Sequence, residues 1–306
     1  MDLVSIVITT YKRDPGTVER AIQSVVQQTY RAIEIIIVDD SPSEYPFRNE
    51  IRDLVEKYQN SCDIAYYPHE RNMGACAARN TGLNNAKGAY IGFLDDDDEY
   101  DHLKVEKQVA MLSKASAVSM VYCNCVVVDD ETGEKTYSQK KLYSGKVYDQ
   151  IIEQNFIGTT SFPLIRRDCL LKLGGFDVEL PACQDYDMWL RICKECSVDY
   201  IDEPLVIYHN HKGEQITKDP QKRITGLLRI MAKNEDYLRI HNKAWVLFRI
   251  KLINEYLRLN KCGKALHLFT ICLLRYPWLF RIYIPTLGRI IKKAFSAGRE
   301  FSVKNQ

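Results

Sequence analysis

Continuous apolar runs alternate with helical periodicity through the first half of the chain. VSIVITTY (Val4–Tyr11), IEIIIVDD (Ile33–Asp40) and the run beginning Tyr90-Ile91 each lack the in-out alternation of a half-exposed strand. They read as strands buried on both faces. Asp63–Tyr67 is a weaker strand, and AVSMVYCNCVVVDD a further long one. Between them lie helical stripes. Val18, Ala21, Ile22, Val25 and Val26 follow an Asp14-Pro15 start, and Ile51, Leu54, Val55 and Tyr58 form a second stripe. A small-residue helix begins near Gly74, and His102–Ala115 is another helix. Strand–helix alternation with all-apolar strands predicts an α/β fold, a mostly parallel sheet flanked by helices.

Beyond residue 137 the pattern loosens. A loop and a short helix are expected to Asn155. Phe162–Asp177 reads as a strand, a short helix and a glycine stop. LPACQDYDMWLRIC places Asp185 at the opening of a helix whose apolar face is Met188, Trp189 and Ile192. Val198–Ile201 and Leu205–Tyr208 read as two short strands, the second running into His209-Asn210-His211. From 215 onward no strand signal remains, so the division expected is an α/β domain over 1–214 and a helical region over 215–306. Arg275, Pro277, Arg281 and Pro285 interrupt the apolar stretch 265–295, which therefore falls short of the ~20 residues a spanning helix needs.

Charge sharpens that division. The net charge of +2 conceals 19 Lys/Arg against 5 Asp/Glu in 215–306, a surplus of +14, and −12 in the remainder. Basic residues interleaved with Trp278, Phe280, Tyr283 and Phe295 suit helices lying on an anionic membrane surface. An ordinary helical subdomain packed on the core or on another subunit of a homo-oligomer fits the same pattern. At 306 residues, 46% hydrophobic and 27% charged, the chain has material for about two globular domains. Met1-Asp2 leads directly into a strand with no secretory leader, and the ten cysteines read as reduced, mostly buried thiols, so a cytoplasmic protein is expected. Cys193 and Cys196 are spaced like half a zinc site, but no second pair accompanies them.

The chemistry concentrates in YIGFLDDDDEYD. A buried strand ends in Asp95, Asp96, Asp97 and Asp98, then Glu99. Carboxylates a few Å apart repel unless a positive group sits among them, and a hard cation, Mg²⁺ or Mn²⁺ shared with substrate phosphates, is a natural neutraliser. Strand carboxyl ends are also where open α/β sheets bind ligands. A solvated acidic turn would carry the same letters. In RNMGACAARNTG, Arg71 and Arg79 are candidates for holding a diphosphate; solvated arginines on a sheet-packed helix are the plainer reading. Asp185 on a first helical turn is either a cap or a carboxylate facing a cleft.

Taken in order, VSIVITTYKR, IIIVDDS, RNMGACAARNTG, YIGFLDDDD, LGGFD and CQDYDMWLRI resemble the inverting family 2 glycosyltransferases over about residues 3–212. That resemblance implies the GT-A fold and a nucleotide-diphosphate sugar donor, with a UDP-sugar favoured. It implies that Thr9, Tyr11 and Asp39 hold the base, Asp39 accepting from a ring N–H. It puts the Asp-x-Asp motif on Asp95-Asp96-Asp97, with Asp97 the metal ligand for Mn²⁺ or Mg²⁺, Asp95 or Asp96 near the ribose, and the extra Asp98 leaving the register open by one. The catalytic base of the family's Glu-Asp pair falls on Asp185, with Gln184 replacing the glutamate. His211, or His209 in its place, matches a diphosphate or metal contact. The acceptor implied is a glycan or lipid-linked hydroxyl of a bacterial capsule, O-antigen or exopolysaccharide, with the enzyme peripheral on the inner face of the cell membrane and no nucleic-acid partner. Two rivals remain: a metal-dependent nucleotidyltransferase, against which TTYKRDPG offers Lys12 and Arg13 but only Gly16, and a catalytically inactive sugar-nucleotide-binding partner of a membrane assembly.

Overall fold

The apolar runs become strands because β-branched side chains stack on a pleated surface that both faces of the sheet bury. A computed structural model describes residues 1–138, 141–210 and 219–303, with backbone alone for 294–303. It divides into two units, Met1–Val178 with Gln184–Gly213, and Glu179–Cys183 with Glu214–Gln306.

In the first unit, β1 (Val4–Thr10) is central. It pairs in parallel with β2 (Ile33–Asp39) on one side and β4 (Tyr90–Asp95) on the other, and β3 (Asp63–Pro68) lies outside β2. The register sets Thr10 opposite Asp39 and Thr9 opposite Asp95, so the polar ends of three buried strands share one edge. Around this sheet lie α1 (Pro15–Val26), α2 (Arg48–Tyr58), α3 (Ala75–Asn85) and α4 (Lys104–Lys114). Asp14 caps α1 by accepting from the amides of Gly16 and Thr17, as its place before Pro15 predicts. Gly82 allows α3 to lie close on β1, since a Cβ there would stand 2.2 Å from Val7 Cγ1.

The sheet then turns mixed. β8 (Leu164–Arg166) runs antiparallel to β4 and to β6 (Val118–Asp129). β6 carries β9 (Ser197–Asn210) in parallel and the short β7 (Lys135–Tyr137) antiparallel, and β5 (Glu99–Tyr100) pairs with β9. The order among the described residues is β3-β2-β1-β4-β8-β6-β9-β5. One expectation is corrected here. Val198–Ile201 and Leu205–Tyr208 are one strand, β9. The register against β6 slips around Asn124, so Pro204, which has no N–H to donate, sits in an irregularity and does not end the strand. β5 went unread because two residues carry no periodicity. The remaining helices of this unit are α5 (Tyr148–Glu153), α6 (Arg167–Lys172) and α7 (Gln184–Glu195).

The second unit is helical throughout its described residues: α8 (Pro220–Lys233), α9 (Glu235–Ile240), α10 (Asn242–Arg258), α11 (Cys262–Arg275), a 3-10 turn at Pro277–Leu279, and α12 (Phe280–Val303). Ile224, Ile230, Val246, Phe248, Ile253 and Phe269 form its core. Gly226 brings α8 against the short 179–183 segment, where a Cβ would meet the Ala182 carbonyl at 2.3 Å. Among the described residues no helix is long and apolar enough to cross a membrane.

One charge lies inside the first unit's core. Lys104 is fully buried, donates to Gln108 Oε1 at 2.8 Å and lies 3.9 Å from the centroid of the Tyr100 ring. Burial pushes its ammonium down to about 8, with the Cys123 thiol opposing the shift. Between about pH 8 and the unfolded value near 10.5 the unfolded chain binds a proton that the folded chain has released, so stability rises with pH across that window. Lys104→Met removes this dependence. In urea denaturation from pH 7 to pH 10.5, the gap between wild type and variant is expected to move in favour of wild type by up to about 3 kcal/mol. A gap that stays constant with pH refutes the assignment.

Candidate active site

The shared edge of β1, β2 and β4 collects most of the chemistry. Asp39 is fully buried; its Oδ1 accepts from the Ser41 amide at 2.9 Å and its Oδ2 from the Tyr66 hydroxyl at 2.7 Å. Burial and the Asp39 carboxylate together hold the Tyr66 phenol in its neutral, donating form. Thr9 lies half-buried beside Asp95 in register, and Tyr11 is exposed on the bend that follows β1. Lys12 takes φ 49° on that bend, and its amide donates to Ser41 Oγ at 2.8 Å, which ties the first loop to the second.

Asp40 was not singled out in the sequence, yet it organises the next loop. Its Oδ1 accepts from the Met73 amide at 2.7 Å and its Oδ2 from the Gly74 amide at 2.8 Å. His69 Nδ1 meets the same carboxylate at 2.7 Å, and His69 Nε2 reaches Thr81 Oγ1 on α3 at 2.9 Å. Gly74, at φ 88°, supplies the turn that enters α3. Arg71 stands exposed on this loop, whereas Arg79 is buried on α3. Arg79 Nη2 donates to Asp95 Oδ1 at 2.8 Å and Nη1 to Gln184 Oε1 at 3.4 Å. The helix is held in place by a reciprocal pair: Asn80 Nδ2 donates to the Phe176 carbonyl at 2.8 Å, and the Phe176 amide to Asn80 Oδ1 at 2.7 Å. Gly175, at φ 71°, leaves room for that pair, since a Cβ would lie 2.5 Å from Asn80 Oδ1.

The four aspartates do not stack. A turn closed by the Asp98 amide on the Asp95 carbonyl, at 3.0 Å, sends the side chains apart. Asp95 accepts from Arg79 and from Thr160 Oγ1 at 3.0 Å. Arg13 forks over the next two, with Nε donating to Asp96 at 2.9 Å and Nη2 to Asp97 at 3.0 Å. Arg20 Nη2 adds a bond to the Asp97 carbonyl at 3.2 Å. Burial pushes Asp96 up to about 6, with Arg13 pulling it back. Asp98 turns inward and accepts from Ser161 Oγ at 2.6 Å; among the described residues its buried Oδ1 has no hydrogen-bond donor. Burial, then the neighbouring Asp95 and Asp97 charges, raise it well above the usual carboxylate range. The protein's own guanidinium groups and hydroxyls thus supply much of the compensation that the sequence alone assigned to a cation. Among the described residues no three His, Cys, Asp or Glu side chains form a ready metal cage. Asp97, whose side chain is 19% exposed, suits a cation that draws its other ligands from substrate phosphate.

Of the two histidines proposed for the diphosphate, His211 lies outside the described residues. His209 has both nitrogens engaged, Nε2 with Glu99 at 2.9 Å and Nδ1 with Asp130 at 2.6 Å. The Glu99 hydrogen bond raises its pKa against burial, and Asp130 adds to the rise.

Asp185 opens α7 half-buried, and its Oδ2 accepts from Asn155 Nδ2 at 3.4 Å. Burial raises its pKa, while the Tyr186 amide and the Arg79 charge oppose the rise. Asn155 is held in turn by Gly158, whose amide donates to Asn155 Oδ1 at 3.0 Å and whose carbonyl accepts from Trp189 Nε1 at 2.9 Å. Arg79 therefore links the β4 end to the start of α7, joining Asp95 to the Gln184-Asp185 pair. Arg13, Asp40, Asn155, Thr160 and Ser161 complete the site. Arg13 stood in view within TTYKR, but nothing local marks Asn155 or Ser161.

The mixed, mostly parallel sheet with acidic strand ends and flanking helices is a GT-A-like fold. Among solved structures, S. aureus TarS in complex with UDP-GlcNAc superposes with a TM-score of 0.64 over 95% of this chain and 89% of that one, at 15% identity. The chain belongs to glycosyl transferase family 2, which it matches over residues 5–174. It is 33% identical over 262 residues, covering 83% of this chain and 88% of the other, to an Escherichia coli K12 protein named for colanic acid biosynthesis, WcaA. An uncharacterized glycosyltransferase of Rickettsia bellii is 29% identical over 83% of this chain, which spans 34% of that protein's length.

Asp40→Ala tests the anchoring of the loop before α3. Losing bonds to a buried carboxylate is expected to lower stability in urea by about 2–4 kcal/mol, whereas Arg71→Ala at an exposed position changes it by less than about 0.5 kcal/mol. Equal, small effects of the two substitutions would remove Asp40 from this role.

Proposed function

We propose that the protein is an inverting transferase that moves a sugar from a nucleotide-diphosphate sugar, a UDP-sugar in first place, to a hydroxyl of a glycan or lipid-linked acceptor in cell-surface polysaccharide synthesis. The reaction is assigned to the cytoplasmic side, with the enzyme peripheral on the inner face of the membrane. The observation that carries this reading is the Asp95–Arg79–Gln184 chain, which sets a helix-opening carboxylate, Asp185, beside the acidic end of β4. The UDP preference draws support from TarS, solved with UDP-GlcNAc and with UDP. The pathway draws support from the name of the Escherichia coli relative.

The base of the donor lies against Tyr11 and Thr9, with its ring N–H donated to Asp39. Asp95 or Asp96 takes the ribose, and Arg71 and Arg79 face the diphosphate. The acceptor hydroxyl attacks the anomeric carbon from the side opposite the leaving nucleotide diphosphate. Asp185 accepts its proton as the bond forms, a role worth roughly 10²–10⁴-fold. Burial raises Asp185 and the α7 N-terminus counters it, so the acid limb of the pH profile lies above the ordinary carboxylate range. Arg79 balances the charge that grows on the departing diphosphate. A divalent cation, Mn²⁺ or Mg²⁺, would be held by Asp97 with His211, and when bound it supplies Lewis-acid stabilisation of that same charge.

Asp185→Asn keeps shape and removes the proton acceptor. Donor affinity by calorimetry is expected to hold while turnover falls below about a tenth of wild type, and the acid limb disappears with it. Retained turnover excludes Asp185 as the base. Asp97→Ala, or wild type in excess EDTA, is expected to lose transfer while keeping its thermal midpoint; full turnover in EDTA sinks the cation assignment. A thermal-shift panel of UDP-, GDP- and dTDP-sugars with Mn²⁺ identifies the donor by mass-action stabilisation. A shift with a nucleotide sugar but no transfer to any acceptor would instead favour an inactive sugar-nucleotide-binding partner.

A further inference from the structure

The helical unit has a cavity of about 510 Å³, within the range of small-ligand sites. Met231, Leu238 and Trp245 form its apolar wall, and Arg239, Arg249 and Arg275 face it. Two of these arginines converge on one ring. Arg249 Cζ lies 3.2 Å from the Trp245 centroid and Arg275 Cζ 4.9 Å from it. Arg249 also donates to the Trp245 carbonyl at 3.2 Å. Glu235, the acidic residue on the wall, is paired with Arg239 at 3.6 Å. Among the described residues neither Arg249 nor Arg275 has a carboxylate within ion-pair distance. Burial lowers the Arg249 pKa to about 10; the Cys272 thiol opposes the fall and the Arg275 charge adds to it.

The cavity continues into an exposed apolar face. The Tyr276 ring packs edge-on to Trp245 at 5.3 Å and to Trp278 at 5.6 Å. Trp278, Leu274, Phe280 and Ile284 are each more than half exposed, and Leu287 and Ile291 extend the stripe along α12 at spacings of four, three and four residues. Arg281, Lys292 and Lys293 lie along the same helix. A solvent-facing apolar stripe of this length is unusual for a surface with no partner. The +14 surplus of 215–306 opposes a second copy of the same unit and favours an anionic occupant.

We propose that the Arg249–Arg275–Trp245 cavity binds the phosphate of an anionic membrane lipid, while Trp278, Phe280 and Ile284 enter the boundary between headgroups and acyl chains. This deepens the peripheral-membrane part of the reading above and is independent of the transfer chemistry. The two guanidinium groups bond the phosphate oxygens, Trp245 fixes their planes, and the apolar stripe supplies insertion that salt does not screen. A lipid phosphate seated there places the acceptor-bearing surface against this unit.

Co-sedimentation of the full chain with phosphatidylglycerol and with phosphatidylcholine vesicles tests this. Wild type is expected to bind the former much more tightly than the latter, which keeps only the weak salt-resistant part. Arg249→Gln with Arg275→Gln is expected to weaken binding by about 30-fold, from two basic side chains near an anionic surface. Lys222→Gln with Lys264→Gln removes equal charge away from the cavity; an equal loss there means diffuse attraction and overturns the pocket. Trp278→Ser with Ile284→Ser is expected to abolish the part of binding that survives high salt. Should the double arginine variant misfold, Arg275→Gln alone, at an exposed position, is expected to lose about 5-fold. Stabilisation of wild type by free glycerol phosphate without vesicle binding would mean a soluble phosphate ligand and overturn the lipid source. Dimers that Trp278→Ser with Ile284→Ser dissociates, without vesicle binding, would assign the face to a second copy. Donor binding in the thermal-shift panel is expected to stay unchanged in every variant, so loss of vesicle binding with intact donor binding is distinct from failure of the transferase reading.

Discussion

Four consecutive carboxylates at the end of a buried strand are the constraint on which the first unit depends. At separations of a few Å each pair repels, by an amount that grows as burial lowers the effective dielectric. The fold answers in three ways at once. Arg13 forks across Asp96 and Asp97, Arg79 takes Asp95, and Asp98 turns into the interior beside Ser161. Each answer fixes a further element. Arg13 pins the loop after β1, Arg79 pins α3 to the start of α7, and Ser161 pins the segment before β8. The acidic turn is thus held by groups of the loops around it, and Arg13 and Arg79 already have carboxylate partners in the protein itself.

That arrangement bears on catalysis. A guanidinium shared between Asp95 and Gln184 is already oriented, so in the role proposed for it less side-chain entropy would be lost on meeting developing charge. Gln184, in the place of the family's glutamate, keeps an acceptor oxygen for Arg79 without adding a carboxylate beside Asp185. A second carboxylate there would push Asp185 still higher, in the direction that burial already drives it. The neutral residue therefore leaves Asp185 easier to ionise at neutral pH.

The second unit is arranged on a different principle. Its core is apolar, its charges are mostly positive, and one face of α11 and α12 leaves large apolar side chains in solvent. Arg249 and Arg275 stack on Trp245 where a carboxylate partner is absent from the described surroundings. The first unit sets arginines against the carboxylates of its acidic turn, whereas the second brings Arg249 and Arg275 together with exposed apolar area, a combination suited to a surface that is both anionic and apolar.

The sequence by itself determined the elements whose signal is local. The strands β1, β2 and β4 follow from runs of β-branched residues, α1 from Asp14-Pro15 and its apolar stripe, and the edge of the sheet from the acidic residues that end those strands. It also carried the family, because six short motifs recur in order. Asp39, Asp95 and Asp185 stood out for that reason, and Arg79 ties Asp95 to Gln184, the residue before Asp185. Tertiary structure alone decided which cation meets which carboxylate: Arg13 reaches Asp96 across 83 residues and Arg79 reaches Gln184 across 105. Such pairings depend on sheet register and on close approaches like Gly82 on Val7, and neither leaves a trace in periodicity. The same holds for Asp40, Asn155 and Ser161, whose neighbours in the chain say nothing of their partners, and for β9, where Pro204 reads as a break until the register slip against β6 absorbs it. Propensity acts over a few residues, whereas the site is assembled from loops that only the folded sheet brings to one edge.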